Sequence, residues 1–130
     1  MTARKTHLQT KSRAESILQL DPAIRYVSII DYSNTTIECK GKRGFQLSLE
    51  TFRSFVSIGP LLALGSMACK LESSCGRLRY LVGRFENALV AIYQLRSLIV
   101  VVVLDSAYPV QRLDEFASLL KQMEKEEWKA

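Results

Sequence analysis

Leu98-Ile-Val-Val-Val-Val-Leu104 is a run of seven apolar residues, bounded by Ser97 and Asp105. Five of them, Ile99 to Val103, are β-branched, stiff at χ1 and better suited to a pleated surface than to a helix. No polar residue alternates with them, so neither side of the strand can face water. The run is long enough to span a sheet. It is far short of the roughly 20 apolar residues with which a helix crosses a bilayer. It reads as the central strand of one sheet with helices on both faces.

Working back from that strand, Arg96-Ser97 and Glu86-Asn87 are links short enough for hairpins. They join Arg77–Phe85, Ala88–Leu95 and Leu98–Leu104 into a three-stranded meander. In the first of these, Leu78, Tyr80 and Val82 are expected to point inward and Arg77 and Arg79 outward. Downstream, Tyr108-Pro109 opens a last helix, proline suiting its first position. Its stripe is Val110, Leu113, Phe116, Ala117, Leu120 and Met123, with Asp114, Glu115, Lys121 and Lys125 facing water. The charged end, Glu124–Ala130, is expected to fray.

Upstream of the meander, the pattern predicts a helix from about His7 to Leu20, with Leu8, Ala14, Ile17 and Leu18 on its apolar face and Asp21-Pro22 ending it. Ile24–Tyr32 reads as a strand with two mixed faces. After a turn at Ser33-Asn34, Thr35–Lys40 pairs with it as an antiparallel hairpin. Gly41-Lys42-Arg43-Gly44 is read as a flexible basic loop. A long helical region follows, with Ser48 as its N-cap and Glu50 in the first turn. Gly59-Pro60 predicts a kink or a break. Beyond it, Leu61, Leu64, Ala68 and Leu71 mark one helical face, while Leu62, Ala63, Met67 and Cys69 carry apolar surface around most of the cylinder. Such a helix needs cover on more than one side. Ser73-Ser74-Cys75-Gly76 is read as its stop.

The order is therefore α-β-β-α-β-β-β-α. It is an α+β domain with a single five-stranded antiparallel sheet and helices on both faces. The expected division is a flexible arm at residues 1–7, one domain at 8–125 and a charged tail at 126–130. A chain of 130 residues, 48% hydrophobic and 24% charged, is the usual size and composition for one domain. Its net charge of +5 is uneven: residues 1–70 hold ten Lys/Arg and five Asp/Glu, residues 71–130 eight of each. Cys39, Cys69 and Cys75 form no Cys-x-x-Cys pair, and Cys69 reads as a small core side chain. The first residues lack the apolar core of a secretory signal. A reducing, cytoplasmic location without a membrane span is expected.

This element order, from about residue 8 to 125, resembles the roadblock/LC7 domains and their longin-like and profilin-like relatives. Gly76-Arg-Leu-Arg-Tyr-Leu-Val-Gly-Arg-Phe-Glu86 is also similar to small archaeal proteins of that fold. The resemblance implies that the last strand lies beside the first, that the first and last helices cover one face, and that the middle helix covers the other. It implies dimers that pair through the middle helix and the strand after it, here Leu61–Leu71 and Arg77–Phe85. It further implies a non-catalytic platform, frequently for a small Ras-like GTPase or within a larger complex.

The chemistry on offer is sparse. His7 is the only histidine and lies in the arm, a poor base for a Ser–His–Asp or Cys–His arrangement. Zinc-ligand spacings and phosphate-binding glycine motifs are absent from the sequence. No catalytic residue, cofactor or metal is expected. What remains is an interface. Leu61, Leu64, Met67, Ala68 and Leu71 of the middle helix, with Arg77, Arg79 and Leu81 after it, are expected to pair two copies. The alternatives are a small ligand-sensing module of profilin or PAS type, with its ligand between middle helix and sheet, and a nucleic-acid-binding protein. The last would use a basic set: Lys40, Lys42 and Arg43 in the loop, with Arg77, Arg79 and Arg84 beside Tyr80 and Phe85. Tyr80 shares a face with Leu78 and Val82, however, and charges on an edge strand also block aggregation. Nucleic acid is thus the weakest of the three readings.

Overall fold

The computed structural model describes residues 12–31, 36–45, 65 and 70–128. Strands β1 (Ile24–Ile30), β2 (Thr36–Gly41), β3 (Tyr80–Arg84), β4 (Ala88–Gln94) and β5 (Ile99–Asp105) form one sheet in the order β2-β1-β5-β4-β3. Every pairing is antiparallel. The Val-rich run is the central strand, beside β1 on one side and β4 on the other.

Its side chains divide by alternation. Val100, Val102 and Leu104 join Val27, Ile29, Leu89, Ala91 and Tyr93 beneath two helices. These are α1 (Arg13–Leu18), through Ala14 and Ile17, and α3 (Leu113–Glu126), through Leu113, Phe116, Ala117, Leu120 and Met123. Val101 and Val103 join Tyr26, Ile30 and Ile92 on the opposite face. A strand buried on both faces can dispense with polar alternation, and this one does. Between β2 and β3 the described helix is α2, residues 70–75, with Gly65 also helical.

Several boundaries differ from expectation, each for a local reason. β1 stops at Ile30, and of its residues only Arg25 escapes burial. Its mixed composition is therefore not a mixed exposure: β2 and β5 flank it, and even Ser28 is fully buried. The register with β5 shifts between Ile24 and Tyr26, and the Arg25 side chain pairs with Asp105. α1 is capped by Ser12, whose Oγ accepts from Glu15 N–H at 3.1 Å, and it ends at Leu18. Asp21 instead shapes the next turn, accepting from Ala23 N–H at 2.8 Å and pairing with Arg112 at 3.2 Å.

Val110 does not join the helical stripe. It lies in a 3-10 turn, Val110–Arg112, which rotates its side chain to 46% exposure. The chain end does not fray at Glu124 either. The Glu124 carboxylate accepts from Arg96 N–H (2.9 Å), Ser97 N–H (3.1 Å) and Ser97 Oγ (3.1 Å), and Trp128 packs against the core. α2 runs through Ser73 and Ser74 to Cys75 and stops at Gly76, whose φ of +84° favours glycine. Gly76 N–H closes the helix on Glu72 C=O at 2.9 Å, a left-handed cap. The arm, the Ser33-Asn34 turn, Ser48, Gly59-Pro60, Leu61, Leu64, Met67, Ala68 and Cys69 lie outside the described residues.

Candidate functional site

β3 ends the sheet, so among the described residues no strand lies beside one side of its backbone. The hairpin fixes which groups point there. Phe85 N–H donates to Ala88 C=O at 2.8 Å, so Phe85 faces β4. In an antiparallel ladder the bonding direction alternates. Gly83 and Leu81 therefore also bond toward β4, while the N–H and C=O groups of Tyr80, Val82 and Arg84 project from the open edge.

This strand carries apolar side chains on each face. Tyr80, Val82 and Arg84 stand opposite Tyr93, Ala91 and Leu89, on the face that α1 and α3 cover. Leu81 and Gly83 stand opposite Ile92 and Val90, on the other face, and Leu81 packs against that second cluster. Val82 is 37% exposed and Phe85 56%, because no neighbouring strand supplies cover. The expected inward set Leu78, Tyr80 and Val82 is thus half right. Tyr80 is half-buried against Tyr93, ring centroids 5.4 Å apart, but Val82 is at the rim. Burial pushes the Tyr80 phenol up, as does its hydrogen bond with Asp114, against the pull of Arg79.

α2 lies just before this edge. Glu72 Oε1 accepts from Leu78 N–H at 3.3 Å, tying the helix end to the segment that enters β3. Leu71 is 54% exposed, and Arg77 and Arg79 are exposed. Of the residues expected to pair two copies, the structure describes Leu71, Arg77, Arg79 and Leu81. Val82 and Phe85 fall within the Arg77–Phe85 strand expected to pair, but were not singled out in it. Their signal was the position of the strand: the first of a meander, followed by a two-residue link, has one side to spare.

The basic set does not form one surface. Lys40 lies at the end of β2, next to its final residue Gly41, with Lys42 and Arg43 just beyond it, whereas Arg77, Arg79 and Arg84 lie along or before β3. These are opposite edges of a five-stranded sheet, about 19 Å apart at the usual strand spacing. Nor is the loop free: Lys42 Nζ donates to Pro22 C=O, and Lys42 N–H to Arg25 C=O at 2.8 Å. Arg84 reaches Ser106 C=O at 3.5 Å. The β2 edge differs from the β3 edge in being polar. Glu38 pairs with Arg13 at 2.7 Å and accepts Ala14 N–H at 2.8 Å, and Cys39 and Lys40 are exposed.

A groove of about 520 Å³ runs between α1 and α3, lined by residues that include Leu20, Leu119 and Met123. It lies on the helix-covered face of the sheet, opposite to the place expected for a ligand. Chemically, the β3 edge offers backbone hydrogen-bonding groups and apolar side chains, which is the equipment of binding.

No protein-family model and no curated protein matches the chain. Solved structures do. The gliding protein MglB of Thermus thermophilus superposes with a TM-score of 0.62 at 21% identity, over 87% of this chain and 86% of that one. A roadblock/LC7 domain of Streptomyces avermitilis gives 0.62 at 13%, over 86% and 91%. An MglB described with a tetrameric arrangement gives 0.62 at 16%, over 95% and 90%. These likenesses show the fold: the chain has the roadblock/LC7 fold.

Proposed function

We propose that this protein is a non-catalytic homodimeric scaffold or regulatory subunit. Its two copies meet through the middle helix and the edge of β3. The observation that carries the reading is that edge: open backbone groups, with Val82 exposed on one face and Phe85 on the other. An exposed apolar edge strand is an aggregation hazard unless something pairs with it. In the sequence, Leu61, Leu64, Met67, Ala68 and Leu71 carry the apolar helical spacing expected of the rest of this surface. The roadblock/LC7 fold adds the finer part of the reading, a platform for a small Ras-like GTPase. The tetrameric arrangement named for one MglB fits a protein that works in assemblies.

Light scattering coupled to size exclusion tests the dimer. Wild type is expected at twice the chain mass of 14.7 kDa, and Met67→Asp as a folded monomer. A wild-type monomer contradicts the reading. Co-elution of the dimer with a small Ras-like GTPase in its GTP-bound form tests the platform, and separate elution of every such GTPase tried removes it.

A further inference from the structure

The groove between α1 and α3 is both apolar and acidic. Leu20 and Leu119 line it at 39% and 44% exposure, and Glu126 and Glu127 line it at the end of α3. Its lining residues include no lysine or arginine. We propose that residues 1–11 of the same chain occupy this groove, with Lys11 at the two glutamates and Leu8 on the two leucines.

Charge selects the occupant. Residues 1–11 carry Arg4, Lys5 and Lys11 and no Asp or Glu, so they complement a groove whose charged groups are carboxylates. Two such grooves set face to face would bring four carboxylates together with no cation among the lining residues.

Position selects it as well. Asp21, just after α1, pairs with Arg112, just before α3, at 3.2 Å. The two helices therefore run antiparallel, and Ser12, the N-cap of α1, lies toward the Glu126–Glu127 end of the groove. A chain turning back at Ser12 enters the groove at its acidic end. Along α3, Glu126 is seven residues from Leu119, about 10 Å at the helical rise. Lys11 and Leu8 are three residues apart, about 10 Å in an extended chain. Lysine and leucine thus match glutamate and leucine at one spacing. Beyond Leu8, Arg4 and Lys5 come within reach of Glu115, exposed one turn before Leu119. The tether makes a weak contact sufficient. A short flexible link sets a local concentration of order 1 mM, so a Kd of about 1 mM for the free segment half-fills the groove.

A spin label on Thr6→Cys tests the seating in the full chain, in a background with Cys39→Ser and Cys75→Ser. The same background without the new cysteine, treated with the label, is the blank. The methyl signals of Leu20 and Leu119 are expected to lose most of their intensity relative to the blank, equally at high and at low protein concentration. Glu126→Lys with Glu127→Lys is expected to restore them. Cations in the last turn suit the helix dipole, so α3 itself keeps its fold. Adding Arg4→Glu, Lys5→Glu and Lys11→Glu to that variant is expected to bring the broadening back. Intensities equal to the blank overturn the proposal, as does broadening that ignores the charge reversal. Broadening that fades on dilution, or that arises when label and observed methyls are on different chains, gives the groove to a second copy and also overturns it. Seating within one chain needs no second copy, so none of these outcomes bears on the dimer.

Discussion

Tyr93 shows how one side chain links the sheet to its covering helix. Its hydroxyl donates to Leu113 C=O at 3.3 Å, and its ring packs on Phe116 with centroids 5.4 Å apart. Burial pushes the phenol well above its ordinary value, because the phenolate would lose its hydration. A folded-state pKa above the unfolded one means that this stability is fully present below about pH 10 and is lost as pH rises beyond it. The urea midpoint of wild type is therefore expected to fall above pH 10 more steeply than that of Tyr93→Phe. The difference should approach about 1.4 kcal/mol per pH unit, and parallel curves would refute it. Glu38 is the counterpart at the polar edge, receiving both Arg13 and the Ala14 N–H. Glu38→Ala is expected to cost about 1–2 kcal/mol by urea unfolding, and Arg13→Ala less than about 1, since the arginine is partly solvated.

At the level of elements, the legible parts of the sequence were those with one dominant signal. The Leu98–Leu104 run had no polar residue to place in water, and it became the central strand. The spacing of Leu113, Phe116, Ala117, Leu120 and Met123 gave a helix that buries all five. Less legible were features decided by a distant partner. Glu124 looked like a solvated tail residue until the Arg96-Ser97 turn came within reach. Val110 fitted the helical period but fell in a 3-10 turn. The basic set looked continuous in composition and was divided by strand order, which residue spacing does not encode. Val82 fitted an alternating strand, yet an edge position leaves the inward side of such a strand partly open. Two substitutions test the elements. Glu124→Ala is expected to lose about 1–2 kcal/mol by releasing the turn at 96–97, seen as faster amide exchange at Arg96 and Ser97. Gly76→Ala is expected to cost about 1 kcal/mol, because a Cβ is disfavoured at positive φ. An unchanged unfolding curve would mean that the helix end relaxes.

For the whole molecule, the two edges of the sheet have opposite characters. β2 is held by Glu38 and shows Cys39 and Lys40 to water. β3 shows apolar side chains on both faces and has backbone groups to spare. That asymmetry gives a protomer one sticky edge, which favours a closed pair over an open chain of copies. The most direct test is residue-resolved amide hydrogen exchange along β3 at high and at low protein concentration. Leu81, Gly83 and Phe85 bond to β4 in either state and serve as internal references. Val82 and Arg84 N–H are expected to be protected nearly as well as these at high concentration and to lose that protection on dilution. Fast exchange of Val82 and Arg84 at every concentration, beside protected Leu81 and Gly83, would leave the β3 edge open to water and contradict the dimer.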